Sequence, residues 1–469
     1  VTAGPSATLP RGVTAPIPRE LLRLALPVLV SQLMRIAYQW VDALWVRGLG
    51  IEATASVTTS MFVMWSVYSL HDVFGLGVAA YVSQLLGAGQ RQRAGLASYQ
   101  GLRAVLVTGL VCAAIGAPAA TSIYRFMKAP PGVIEQGGHY LRIMLAASPL
   151  PMLGFTAETI MRASGNTRLP LTLDVLAVSL NAVLDPLLIY GWGPFPRLGV
   201  AGAALATAIA QALLVVCYVI VALRGHEALP LARRAPGGPI NVFGLARVGL
   251  PAALVGMMFS LVYVAFSRSA ARFGAASLAI VGIANRIEAV QFVVGVSLGI
   301  AGASLVGQNL GAGRPDRASL TVRTALVWGG WVSTALTIVL FAFPAAFLTL
   351  FTRDSETLRI GVPYLRILSL CLIATGLEII TNESIQGSGH TRTLSIIYNS
   401  FSIIRVPLCF VVPGWFGSGV LGIAWLITIT CVARSSLILA WAARGTWKRG
   451  LAGELHGAPV GATSPDAPA

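Results

Sequence analysis

The chain has 469 residues, 56% of them hydrophobic and only 11% charged, with a mean hydropathy of +0.77; a soluble domain carries about 25% charged residues, so a water-soluble enzyme or binding module is excluded. The formal net charge of +16 comes almost wholly from arginine, the two lysines being Lys128 and Lys448. These cations sit at the ends of apolar runs, where they read as a membrane-topology signal and not as a nucleic-acid footprint.

About twelve apolar segments are predicted, near residues 20–46, 54–86, 95–120, 138–162, 169–190, 199–223, 243–271, 277–308, 318–347, 361–385, 393–413 and 419–443. Each is long enough for a spanning helix of about 20 residues, and none has the roughly 10-residue alternation of a barrel strand. Turns rich in Gly, Pro and Arg separate most of them. Residues 1–19, Pro- and Thr-rich without an apolar core, are expected to be a tail and not a signal peptide. Residues 446–469 are expected to be a second tail, disordered from Gly450, and 224–241 a linker. Cys112, Cys217, Cys371, Cys409 and Cys431 are odd in number, lack a CxxC spacing and lie in apolar runs, which predicts core packing and neither disulfides nor a zinc site.

The sequence is internally duplicated. Leu26-Pro27 recurs as Leu250-Pro251, an offset of 224, and the same offset carries Gly50 to Gly274, Gln84 to Gln308 and Gly87-Ala-Gly89 to Gly311-Ala-Gly313. It also carries Tyr140-Leu-Arg-Ile143 to Tyr364-Leu-Arg-Ile367 and Ser164-Gly165 to Ser388-Gly389; beyond Arg168 and Arg392 the register is expected to slip by a few residues. The predicted fold is therefore all-α and integral to the membrane, with about 12 transmembrane helices in two six-helix lobes, 20–223 and 242–445. Six is even, so the lobes enter the membrane alike and are related by a pseudo-twofold axis along its normal. Arginines cluster on the side that carries the two termini (Arg11, Arg19, Arg23, Arg91, Arg93, Arg233, Arg234, Arg314, Arg317). The positive-inside rule then places both termini in the cytoplasm of a multi-pass protein of the inner, or plasma, membrane.

Duplication separates scaffold from chemistry. Pro27 has a counterpart in Pro251, so it reads first as a shared helix bend; Asp42 maps to Phe266 and has none. Asp185 also lacks one, the second half reading Arg405-Val-Pro407 around the position of Pro186. An ionisable group at membrane depth costs roughly 2.5–3.5 kcal/mol and marks a functional site by default. Asp42 and Asp185 lie 19 and 17 residues from Arg23 and Arg168, similar depths of roughly 28 and 26 Å at about 1.5 Å per residue. Tyr38 and Asn181 precede them by four residues, on the same helix faces. Arg35 is expected either as a counter-ion for Asp42 or in the cleft, and Gln32 and Glu378 as further cleft contacts, Glu378 also as a cation contact. His71, Asp72, Arg286, Glu288, Glu383, Arg268 and Arg405 read mainly as solvated, paired or snorkelling groups.

Jointly, these motifs resemble the multidrug and toxic compound extrusion (MATE) family, most closely its DinF-like prokaryotic branch. The resemblance rests on Leu26-Pro27 … Tyr38 … Asp42 … Gly50, Arg162-Ala-Ser-Gly-Asn-Thr-Arg168, Asn181-x-x-x-Asp185-Pro186 and Gly199-Val-Ala-Gly-Ala-Ala-Leu-Ala-Thr207, with Gly249-Leu-Pro251, Ala284-Asn-Arg-Ile-Glu288 and Gly307-Gln-Asn-Leu-Gly-Ala-Gly313 in the second half. It covers the chain except its ends. It implies no enzyme and no cofactor, but a secondary antiporter that exports cationic, amphiphilic compounds against H⁺ or Na⁺. It places the cation site at Asp42, Asn181 and Asp185, which could hold Na⁺, with Tyr38 and Thr207 nearby. The NorM-like branch would have a glutamate on the seventh helix, where this chain has Phe259 and Ser260, so the first lobe is favoured for coupling. The expected partners are small cationic molecules and lipids, with no nucleic acid, and a monomer is expected. The alternative is a lipid-linked precursor flippase of the same superfamily, kept open by Arg35, Arg268 and Arg405.

Overall fold

The computed structural model describes residues 9–127, 129–236, 238, 240–415 and 419–451, with the backbone alone described for Ile51, Phe62 and Ser260. All regular structure among the described residues is helical. The first lobe comprises α1 (Ile17–Arg47), α2 (Ile51–Gly87), α3 (Arg91–Phe126), the bent pair α4a (Pro131–Ala146) and α4b (Pro149–Ala163), α5 (Arg168–Tyr190) and α6 (Val200–Leu223). The second repeats the pattern with α7 (Val242–Ala271), α8 (Ala275–Gly311), α9 (Pro315–Ala342), the bent pair α10a (Ser355–Ser369) and α10b (Leu372–Gln386), α11 (Arg392–Trp415) and α12 (Val420–Ala443). Among the described residues, ten helices are long and apolar enough to span a membrane, and twelve spans result if each pair, bent by 47° and 51°, counts as one. Helices are the expected solution, since lipid leaves no partner for a backbone polar group outside its own segment. Large apolar side chains such as Phe126, Leu223 and Trp331 stand exposed on the outside, as a lipid-facing perimeter requires.

The repeat holds at the level of backbone torsions. Gly50 and Gly274, which open α2 and α8, have φ of 106° and 94° with extended ψ, a combination essentially reserved for glycine. Gly199 and Gly419, which open α6 and α12, share φ near 55° and ψ of −133°. The offset between that last pair is 220, so four residues are lost in the connection preceding them. α5 and α11 begin in the 224 register, at Arg168 and Arg392, and their described ends, Tyr190 and Trp415, depart from it by one residue, so most of the slip lies after these helices. Asn181 and Asp185 therefore fall opposite Arg405 and Cys409, and not at the position read from Pro186 and Pro407.

The two lobes interlock at the end that carries the chain's two terminal segments and the linker. At this end α2 crosses α8 so closely that a Cβ on Gly87 would lie 2.0 Å from the Gln308 carbonyl oxygen, and one on Gly311 only 1.9 Å from that of Gln84. Gln84 Nε2 donates to the Gly387 carbonyl (2.9 Å) and Gln308 Nε2 to that of Ala163 (2.9 Å). Both bonds cross between lobes, and each end of one maps onto the other by the 224 offset. Further along, Gly77 and Gly249 let α2 and α7 meet backbone to backbone, at Leu245 and at Asp72 and Val73.

The residues flanking the helices are not loose tails where they are described. Val13 is fully buried, Trp447 and Leu451 nearly so, and α1 starts at Ile17. Residues 1–8 and 452–469, most of the expected tails, lie outside the described residues, as do Lys128 and the side chain of Ser260. A bulky side chain at the crossing has no room to relax, and overpacking of this kind costs about 1–3 kcal/mol. Gly311→Val is expected to lower the thermal unfolding midpoint in detergent by several degrees, while Gly282→Ala, with nothing within 4 Å of its Cβ position, leaves it unchanged. Equal midpoints for the two variants would contradict the crossing.

Candidate cation site

Three helices of the first lobe bring together five oxygen-bearing side chains that are far apart in sequence. From α1 come Tyr38 and Asp42, one turn apart; from α5 come Asn181 and Asp185, also one turn apart; α6 supplies Thr207. Asn181, Asp185 and Thr207 are buried, Asp185 completely. The Tyr38 hydroxyl and Thr207 Oγ1 are 2.9 Å apart. With the Asn181 amide turned to satisfy both ends, its nitrogen donates to Asp185 Oδ2 (3.1 Å) and its oxygen accepts from the Thr207 backbone N–H (3.1 Å). Small neighbours on α6 (Gly202, Ala203, Ala204, Ala206) allow this approach: a Cβ on Gly202 would sit 2.4 Å from the Leu188 carbonyl oxygen.

What remains open is as informative as what is bonded. Asp42 Oδ1 and Asp185 Oδ1 are buried and have no hydrogen-bond partner, and the two carboxyl groups are electrostatic neighbours. No arginine or lysine forms an ion pair with either among the described residues. Buried polar atoms are nearly always bonded, so two orphaned carboxylate oxygens in one pocket call for a proton or a cation. The donor set fits both: a carboxyl oxygen accepts a proton, and the oxygens of Asp42, Asp185, Asn181, Thr207 and Tyr38 suit a hard cation such as Na⁺. Tyr68 and Tyr140 are electrostatic neighbours of this group.

Arg35 is elsewhere. It is not the counter-ion of Asp42: Nη2 lies 2.5 Å from Glu158 Oε2 on α4b and 3.5 Å from Asp174 Oδ2 on α5, and the guanidinium stacks 5.0 Å from the Phe155 ring centroid. Glu158 also pairs with Arg162. Sequence reading missed Glu158 and Asp174; the i, i+4 spacing of Glu158 and Arg162 was the available signal, but Arg35 is 123 residues distant. Gln32 is half-buried on α1, one turn before Arg35. Glu378 is not part of the cation site either. It lies in the second lobe, 1% exposed, held by Arg434 Nε (2.7 Å) and Ser435 Oγ (2.7 Å). A protein guanidinium thus fills the role expected of a bound cation.

The equivalent place in the second lobe has Phe266, Arg405 and Cys409 where the first has Asp42, Asn181 and Asp185. Arg405 donates to Thr430 Oγ1 (2.7 Å) and Cys431 Sγ (3.0 Å), so a fixed positive charge stands there in place of a carboxylate pair. Of the other polar residues, His71 Nε2 pairs with Asp72 Oδ1 (3.2 Å) and Glu288 accepts from the Tyr263 hydroxyl (3.2 Å).

The MatE family model matches the chain twice, over residues 27–187 and 251–411. The protein belongs to the MATE family. Both matches are displaced by 224 residues at each end, as the duplication requires. Among curated relatives, a probable multidrug resistance protein NorM of Thermotoga maritima is 25% identical over 94% of this chain and 95% of its own length. The FAD transporter of Shewanella oneidensis is 27% identical over 89% and 92%. Among solved structures, a multidrug resistance MATE family transporter in an outward-facing conformation superposes with a TM-score of 0.86 at 22% identity, covering 94% of this chain and 98% of that one. A MOP superfamily transporter from Pyrococcus furiosus gives 0.85 at 22% identity, covering 94% and 98%. The two-lobed fold is that of MATE transporters.

Removing one partner of a buried ion pair costs about 3–5 kcal/mol, whereas replacing both with apolar groups is often neutral. For this MATE protein, Glu378→Leu alone is expected to lower the unfolding midpoint sharply, and Glu378→Leu with Arg434→Leu to recover most of the loss. A double variant no more stable than the single would contradict the pairing.

Proposed function

We propose that the protein is a secondary antiporter that exports cationic, amphiphilic organic compounds in exchange for H⁺ or Na⁺, with Asp42 and Asp185 as the coupling site. The observation that carries this reading is the pair of buried, unpartnered carboxylate oxygens in one lobe, with a fixed arginine at the equivalent place in the other. The interlocked end is read as cytoplasmic from its arginines, so the cleft between the lobes faces outward in this conformation. In that state Asp42 and Asp185 take up the coupling ion from outside, and the substrate leaves. The lobes then rock about their interface, the ion is discharged to the cytoplasm, and a new substrate enters.

Each residue has a part. Asn181 Nδ2 donates to Asp185 Oδ2 and so orients the carboxylate with Oδ1 toward the ion. Thr207 and Tyr38 complete the oxygen set and tie α6 to α1. Pro27 removes a backbone donor, leaving the Arg23 carbonyl without its helical partner and giving α1 a point at which to bend when the site changes charge. A substrate cation competes for the same negative charge, so ion and substrate bind in exchange and not together. The name of the Shewanella relative brings flavin nucleotides into the set of compounds to be tried.

In a pump-deficient bacterium, the protein is expected to expel a cationic dye such as ethidium, and Asp42→Asn and Asp185→Asn each to reduce the rate at least tenfold at wild-type membrane abundance. Variants that export at the wild-type rate would remove the coupling assignment. In proteoliposomes, imposed H⁺ and Na⁺ gradients are to be compared separately, with ethidium and FAD as alternative cargo. Export driven by neither gradient would contradict antiport.

A further inference from the structure

The segment before α1 belongs covalently to the first lobe, yet it is held by the second. Residues 10–15 form a strap whose short helical turn, Arg11–Thr14, seats Val13 with no exposed surface. Its carbonyls are gripped by the end of α8 and the start of α9. Asn309 Nδ2 donates to the Gly12 carbonyl (3.0 Å), Arg314 Nη1 to that of Val13 (3.1 Å) and Arg317 Nη2 to that of Ala15 (2.6 Å). Arg317 is itself aimed by a bond from Nε to Asn309 Oδ1 (3.0 Å). The strap also sits against Gln308, whose side chain makes the inter-lobe bond to Ala163: a Cβ on Gly12 would lie 2.2 Å from Gln308 Oε1 and 2.8 Å from Leu305 Cδ2.

The other end of the chain mirrors this arrangement. After α12, the turn Thr446–Arg449 is anchored by Trp447, whose Nε1 donates to the Ala442 carbonyl (2.9 Å). The Leu451 backbone N–H then donates to Gln84 Oε1 (2.8 Å), and the Leu451 side chain joins a buried cluster that includes Val78, Tyr81 and Leu85 of the first lobe and Leu245 and Val248 of the second. Each inter-lobe glutamine is therefore backed by a strap from the opposite lobe. Gln84 binds Gly387 through its nitrogen and Leu451 through its oxygen; Gln308 binds Ala163 and lies under Gly12. These contacts span the surfaces that must part if this end opens.

We propose that residues 10–15 are a detachable latch: the strap stays on Asn309, Arg314 and Arg317 while this end is closed and undocks each time the end opens. The inference rests on the alternating-access reading above. Hydrogen bonds donated by a charged group are the stronger kind, and they exist here only in the closed state. Their loss acts on one side of the conformational equilibrium, which is the condition for shifting it. Arg317 carries the most, because it binds Ala15 directly and orients Asn309.

Two measurements on the full chain test this, in a background with the five native cysteines replaced. In the first, spin labels at Gln92→Cys and Asp316→Cys, exposed and equivalent positions on α3 and α9, report the opening of this end in proteoliposomes. Arg317→Ala is expected to raise the ratio of open to closed distances about tenfold, and an unchanged ratio would overturn the proposal. In the second, Thr14→Cys with Pro315→Cys, exposed positions adjoining the bonded Val13 and Arg314, is bridged by a reversible bis-thiosulfonate. Ethidium transport is expected to fall to background when bridged and to return with dithiothreitol. Transport by the bridged form at the reduced rate would show that the strap never leaves. A protein inactive in both forms would instead count against the transport reading, unless the labels still show opening in the reduced form and none in the bridged form, which supports the latch alone.

Discussion

Two glutamines bonded to two carbonyls across the lobe interface hold this molecule in its conformation. Gln84 to Gly387 and Gln308 to Ala163 are one interaction made twice by the pseudo-twofold axis, and both are buried. They form only because α2 and α8 cross at Gly87 and Gly311, where backbone meets backbone without a side chain between. Everything else about the state follows from that seam. With one end zipped by glutamine, glycine and strap, the lobes can diverge only toward the other end. Asp42, near the C-terminal end of α1, lies toward that other end.

The duplicated scaffold carries unduplicated chemistry, and the difference is concentrated in a few positions. Equivalent helices begin at equivalent glycines with near-identical torsions, so the backbone frame around each lobe's centre is shared. Into that frame the first lobe places Asp42, Asn181 and Asp185, and the second places Phe266, Arg405 and Cys409. Buried charge elsewhere is satisfied within the protein, Glu158 by Arg35 and Arg162, Glu378 by Arg434. Among the described residues, Asp42 and Asp185 each keep a buried carboxylate oxygen with neither a hydrogen-bond partner nor an arginine beside it. In the proposed mechanism, Glu158 and Asp174 are held by arginine while these two acids stay responsive to an ion.

Much of this was legible in the sequence, for reasons that also define where legibility ended. Helix count and lobe division follow from apolar run length and an offset that survives over most of each half. Asp42 and Asp185 stood out because they break a repeat, and their neighbours Tyr38 and Asn181 because one helical turn relates them. The partner of Arg35 could not be read this way: Glu158 and Asp174 lie on helices 123 and 139 residues away, and no periodicity links them. Glu378 looked available for a cation because Arg434 is far from it in sequence. The straps have the composition of tails; what docks them is backbone carbonyls, which composition does not reveal. Pro186 and Pro407 suggest a local alignment three residues short of the 224 offset, which the starts of α5 and α11 do not follow.

The most direct test of the central claim is whether binding substrate expels an ion from the Asp42–Asp185 pocket. Purified protein in weakly buffered detergent solution, titrated with ethidium while a pH indicator and a Na⁺-selective electrode are read together, should release H⁺ or Na⁺ in proportion to the substrate bound. Asp42→Asn and Asp185→Asn should abolish that release. Release of the same size from both variants, or substrate bound by the wild type with neither ion displaced, would contradict the account.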